Sequence, residues 1–89
     1  MLNQVAVITG SSRGIGAATA RLMAAEGYAI VLNYLHSAGP AEALRQEISA
    51  MGVPCISVQA DVSEEAQVEA LFAQADALGP LAVLVNNAG

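Results

Sequence analysis

No lysine and no tryptophan occur in this chain, and all three of its cations are arginines. Eight carboxylates against them leave a net charge of −5 at pH 7. Nucleic acids and anionic membranes are held by clustered cations, so this balance speaks against both as partners. The single cysteine, Cys55, excludes an internal disulfide and fits a reducing compartment, so a cytoplasmic protein is expected. No apolar run approaches the roughly 18 residues of a membrane-crossing helix. The first residues, Met1 to Val5, carry no basic region or cleavage-like site, so a secretory signal is not expected. No set of cysteine, histidine and carboxylate has the spacing of metal ligands, and no metal is expected. Repeats, low-complexity tracts and linkers are also missing.

What is present is apolar and alternating. Hydrophobic residues make up 55% of the 89, enough to bury the core of one compact domain. Short β-branched or apolar runs, Val5–Thr9, Ala29–Asn33, Cys55–Ala60 and Leu81–Val85, read as buried strands. Between them lie stretches of helical period. The first is alanine-rich, from about Ile15 to Glu26, with Gly27 as its stop. The second starts near Pro40, a residue suited to a first turn, and carries the stripe Ala41, Leu44, Ile48 and Met51. The third has Ser63 as candidate N-cap, Glu64 and Glu65 in its first turn, and the apolar face Val68, Leu71, Phe72, Ala75 and Leu78. Gly79 and Pro80 close it.

The order is therefore βαβαβαβ. Strands joined by single helices run parallel, and right-handed crossovers leave few arrangements. The expected fold is α/β, a Rossmann-like doubly wound sheet of four parallel strands, with residues 1–89 forming the N-terminal part of a single domain. A chain stopping straight after its last strand would leave an open edge, so a truncated domain is expected.

The first strand delivers Gly10, Ser11, Ser12, Arg13, Gly14, Ile15 and Gly16 onto a helix start. In this Gly-xxx-Gly-x-Gly pattern the first glycine permits a tight turn. The later two let a pyrophosphate and the neighbouring strand approach the backbone. Unpaired amides and the helix dipole favour the phosphates. Tight strand-to-helix packing alone is the competing explanation for these glycines. Beyond this loop, Asp61 and Val62 follow the third strand and Asn86, Asn87, Ala88 and Gly89 follow the fourth.

These three segments, in order on three strand ends, resemble the classical short-chain dehydrogenases/reductases over essentially the whole chain. The resemblance implies that the loop residues Gly10, Ser12, Gly14, Ile15 and Gly16 hold the diphosphate region. It places Asp61 and Val62 over the adenine, and Asn87, Ala88 and Gly89 on the cofactor side with Asn86 structural. For Asp61 the alternative is a role beside Ser63 in starting the next helix.

The end of the second strand bears on which cofactor binds. An acidic residue there holds the ribose 2′-hydroxyl of NAD. This sequence has Asn33, Tyr34 and Ser37 instead, none of which repels a 2′-phosphate, and Arg13 is placed to reach one. The Asn-Tyr-xx-Ser pattern resembles NADP-preferring members, so NADP(H) is expected over NAD(H). A solvated loop cation is the alternative for Arg13. His36 reads as an exposed loop residue, Cys55 as a small buried hydrophobe, and Tyr28 and Phe72 as core or boundary aromatics.

No catalytic residue is identified. The resemblance implies a tyrosine, a lysine four residues later and a serine beyond the Asn-Asn-Ala-Gly segment, and a chain without lysine cannot supply that pair. Tyr28 and Tyr34 are at the wrong ends of the second strand to replace it. The expectation is the cofactor-binding half of an NADP(H)-dependent oxidoreductase acting on a small carbonyl or alcohol substrate, inactive by itself. Family resemblance implies a homo-oligomer. The alternative is a free-standing, inactive nucleotide-binding or interaction module.

Overall fold

The computed structural model describes residues 3–87. Strand β1, Val5–Ile8, is fully buried along its length, which only a strand covered on both faces can be. It is followed by α1 (Gly14–Ala25), β2 (Ala29–Tyr34), α2 (Ala38–Ser49), β3 (Cys55–Gln59), α3 (Glu65–Leu78) and β4 (Leu81–Val85). All strand pairings are parallel and the order across the sheet is β3-β2-β1-β4. The expected four-stranded, doubly wound architecture is therefore the observed one.

Strand alternation divides the core into two. Ala6 and Ile8 of β1 join Ile30 and Leu32 of β2 under α1 and α2, with Ala17, Ala20, Ala24, Leu44 and Ile48 packed on them. Val5 and Val7 point the other way with Ala29 and Val31, and meet Leu71 and Ala75 of α3. Small residues on α1, Gly16, Ala17, Ala20 and Ala24, form its buried face and bring its axis close to the sheet. Tyr28 packs against the α1–α2 core at its margin, as a boundary aromatic.

Two details differ from the sequence expectations. Met51 was expected on the buried stripe of α2, but the helix ends at Ser49 and Met51 is 45% exposed in the turn beyond it. Ser63 was expected to cap α3. Glu64 holds the N-cap place instead, and the Ser63 hydroxyl turns back to Asp61. A residue two places after an aspartate can close a turn on that carboxylate, and this competes with capping.

Chain connection explains where a site arises. β2 and β3 build outward on one side of β1, after which the chain crosses to place β4 on the other side. The loop after β1 and the end of β4 thus lie at the carboxyl end of the sheet beside the point where the strand order reverses, the place where open α/β sheets hold ligands.

Candidate dinucleotide site

Gly10 to Gly16 bridges β1 and α1 at this edge. Gly10 (φ 60°) and Gly14 (φ 66°) both adopt the left-handed conformation that favours glycine. Gly16 is required for a different reason. A Cβ there would lie 2.6 Å from the Gly10 carbonyl oxygen and 2.8 Å from Asn87 Nδ2. The first two loop amides are spent inside the protein: Gly10 N–H donates to Asn33 Oδ1 (3.2 Å) and Ser11 N–H to the Asn33 carbonyl (3.0 Å). The first main-chain bond of α1 runs from Ala17 N–H to the Arg13 carbonyl at 3.4 Å. Among the described residues, the amides of Ser12, Gly14, Ile15 and Gly16 have no acceptor. They form a nest of donors at a helix N-terminus.

The β4 end is tied to this loop. Asn87 N–H donates to Thr9 Oγ1 (2.9 Å), and Asn87 Nδ2 donates to the Gly10 carbonyl (3.1 Å). The Thr9 hydroxyl lies 3.3 Å from Asn86 Oδ1, consistent with a structural Asn86. Ala88 and Gly89, expected on the cofactor side, lie outside the described residues.

On the β2 side the guanidinium of Arg13 donates to Ser37 Oγ at 3.1 Å. The other two arginines are matched by carboxylates, Arg21 by Glu47 and Arg45 by Glu42. Arg13 has no carboxylate partner among the described residues and is exposed. Ser37 occupies the N-cap position of α2 without capping it, and neither α1 nor α2 carries an acid in its first turn. Two helix N-termini and one unneutralised guanidinium therefore converge on one patch, favouring an anion. Tyr34 ends β2 and is half-buried.

Asn33 is placed otherwise than a ligand-facing reading requires. It is 2% exposed, with its amide bonded to β1 and β3 neighbours.

Asp61 and Val62 line a cleft of about 560 Å³ at the strand tips, together with Gly10, Leu35 and Ala60. Val62 and Leu35 are exposed apolar side chains there, 37% and 40%, suited to the faces of a flat ring. Asp61 Oδ1 accepts from Ser63 Oγ (2.6 Å) and Ser63 N–H (2.9 Å). The Ser63 hydroxyl and then its amide hold this carboxyl below the usual range. Gln67 Oε1 accepts the Asp61 N–H at 2.7 Å, a contact not foreseen in the sequence. Cys55 is buried at the start of β3, and burial pushes its thiol up to about 12, away from nucleophilic use.

The family model described as short chain dehydrogenase matches residues 4–89. The chain belongs to that family. As a short-chain dehydrogenase it is 48% identical over 87 residues to an uncharacterised oxidoreductase of Methylorubrum extorquens, covering 97% of this chain and 35% of the relative. It is 43% identical over 89 residues to the 3-oxoacyl-[acyl-carrier-protein] reductase FabG of Staphylococcus aureus, covering 99% and 36%. Among solved structures it is similar to a blue fluorescent protein from a metagenomic library in complex with NADPH, with a TM-score of 0.91 and 47% identity over 97% of this chain and 36% of the other. A Serratia marcescens short-chain dehydrogenase/reductase variant superposes with a TM-score of 0.91 at 38% identity, covering 99% and 36%. The short-chain dehydrogenase chain thus spans about a third of the length of the relatives it matches. No helix of the described residues is long and apolar enough to cross a membrane.

Proposed function

We propose that this chain supplies the cofactor-holding half of an NADP(H)-dependent oxidoreductase, in one dinucleotide-binding domain that begins within residues 1–89. When bound, the nicotinamide supplies or accepts a hydride for a small carbonyl or alcohol substrate. The chain's own residues do the holding. Amides of Ser12, Gly14, Ile15 and Gly16 receive the diphosphate, and Arg13 with Ser37 receives the 2′-phosphate. Asp61, Val62 and Leu35 flank the adenine, and Asn87 closes the site from β4. Tyr34 lies at the adenosine end.

One observation carries this reading: Arg13, the cation without a carboxylate partner among the described residues, donates to Ser37 Oγ at 3.1 Å beside two acid-free helix N-termini. A carboxylate that would select the 2′-hydroxyl of NAD is missing from the end of β2. The NADPH complex of a relative-like structure, and the reductase and oxidoreductase names of the relatives, support the same class. The hydride step itself needs an acid/base group, and this lysine-free chain supplies no tyrosine–lysine pair for it. The lone buried cysteine is consistent with a cytoplasmic setting, and family resemblance with a homo-oligomer.

The test is titration of the full-length protein with NADPH and NADH by cofactor fluorescence, followed by NADPH oxidation against a panel of ketones and aldehydes. Tighter binding of NADPH with turnover of a carbonyl is expected. Equal or reversed affinities refute the NADP(H) assignment.

A further inference from the structure

Asn33 sits one residue before the end of β2, 2% exposed, and every polar group it carries is engaged. Its Oδ1 accepts from Gly10 N–H at 3.2 Å. Its Nδ2 donates to the Ala60 carbonyl at 3.0 Å and lies 3.4 Å from that of Val58. Its main chain exchanges bonds with Ser11: Asn33 N–H donates to Ser11 Oγ (3.0 Å), and its carbonyl accepts from Ser11 N–H (3.0 Å) and Ser11 Oγ (3.3 Å). One residue thus joins the loop after β1 to the end of β3.

The partners fix which chemistry fits. An amide N–H of Gly10 can only donate, and the carbonyls of Val58 and Ala60 can only accept. The position therefore demands an acceptor on the β1 side and a donor on the β3 side. Asparagine provides both from one short side chain. An ionised aspartate provides two acceptors, so one of its oxygens would face two carbonyl oxygens without a proton between them, at a position only 2% exposed. Protonated aspartic acid regains the donor.

We propose that Asn33 is a positioning residue for the dinucleotide: it pins the Gly10–Ser11 turn so that only the later amides stand open to the diphosphate, and its site rejects an ionised carboxylate. This rests on the dinucleotide reading above and extends it from the groups that touch the cofactor to one that does not. Exchanging Asn33 for aspartate, the obvious route to an NAD enzyme, fails because that side chain is turned into the sheet instead of toward a ribose.

Among the described residues, the charged and titratable groups at this end of the sheet include Arg13 in the loop after β1, Tyr34 and His36 at and after the end of β2, and Asp61 after β3, which lines the same cleft as Asn33. They are common to the wild type and its variants, so the ratio of their affinities isolates position 33. Asp61 adds a second negative charge that further disfavours an ionised aspartate there.

The experiment measures NADPH and NADH affinity of the full-length wild type, Asn33→Asp and Asn33→Ala across the neutral range and into mild acid. Asn33→Asp is expected to lose about tenfold in affinity for NADPH and for NADH alike at alkaline pH, the effect of one buried group left unpaired. The loss shrinks as the pH falls and the carboxyl takes up its proton. Asn33→Ala, which has nothing to protonate, loses affinity by the same factor at every pH. Tighter NADH binding by Asn33→Asp, or a pH-independent loss, overturns the proposal. If either variant does not fold, amide hydrogen exchange of the wild type decides. Gly10 and Ser11 are expected to be protected with or without NADPH, and Ser12, Gly14, Ile15 and Gly16 only with it. Free exchange of Gly10 and Ser11 before NADPH is added overturns the proposal. Equal binding of NADPH and NADH by the wild type would refute the cofactor assignment while leaving the Gly10 and Ser11 protection a separate result.

Discussion

The guanidinium of Arg13 donates to the hydroxyl of Ser37 at 3.1 Å, joining the loop before α1 to the N-cap of α2. Residues 24 positions apart in sequence thereby form one cationic, hydroxyl-bearing corner at the end of β2. Its makeup suits a phosphate monoester: a fork of N–H donors, a hydroxyl and two helix N-termini.

Arg13→Ala is therefore expected to weaken NADPH binding by about 1–3 kcal/mol, the range for a lost charge-assisted contact, with little effect on NADH. Fluorescence titration of both cofactors checks it. A parallel loss for the two would mean that Arg13 does not meet the 2′-phosphate.

Asp61 is expected to behave differently. Asp61→Ala removes the acceptor for the Ser63 hydroxyl and amide, so it should lower NADPH and NADH affinity together by the same factor, leaving their ratio unchanged. Because its carboxyl is held below the ordinary range, the folded-state benefit of the carboxylate is complete above that range. It is lost as the pH falls through the lowered folded value, so it stays flat across neutral pH. A change in the NADPH-to-NADH ratio would assign Asp61 to cofactor choice instead.

Gly14 and Gly16 carry different demands, and substitution separates them. Nothing lies within 4 Å of a Cβ at Gly14, but its φ is +66°, so asparagine, which tolerates this conformation, should destabilise less than alanine. At Gly16 the obstacle is volume, with the Gly10 carbonyl 2.6 Å from the new atom. Alanine should cost about 1–3 kcal/mol there, and the larger asparagine more. Thermal or denaturant unfolding of the four variants tests the reversal.

Cys55 should react with a thiol reagent only when the protein unfolds, being buried with its thiol pushed from 9.0 to about 12. The sign of the stability effect follows. An unfolded chain ionises its thiol first, so stability falls as the pH rises above about 9 and levels off near 12. Cys55→Ala should flatten that slope. Rapid labelling of the native protein at neutral pH would contradict the buried placement.

Much of this was legible beforehand because it depends on local signals. The β-branched run ending at Gly10 located β1, and the runs from Ala29 and Leu81 located β2 and β4, since buried parallel strands are continuously apolar. Arg13 and Ser37 were paired through the same strand-end logic. Asn33 was not legible in the same way. Its residue type was seen to matter, but the direction of its amide depends on the Ala60 carbonyl, which arrives on β3 only after the sheet assembles. Gln67 is not foreseen, and Ser63 is expected as a cap, for a related reason: both side chains answer to the turn at Asp61 instead of to the helix pattern. Met51 fitted a helical stripe by spacing, yet the chain turned out of α2 at Gly52, whose φ is 96°.

The most direct measurement is a crystal structure of the full-length protein with NADP+ bound. The account predicts the diphosphate on the amides of Ser12, Gly14, Ile15 and Gly16, the 2′-phosphate between Arg13 and Ser37, and the Asn33 amide still bonded to Gly10 and Ala60. A dinucleotide seated elsewhere, or a 2′-phosphate turned away from Arg13, would contradict it.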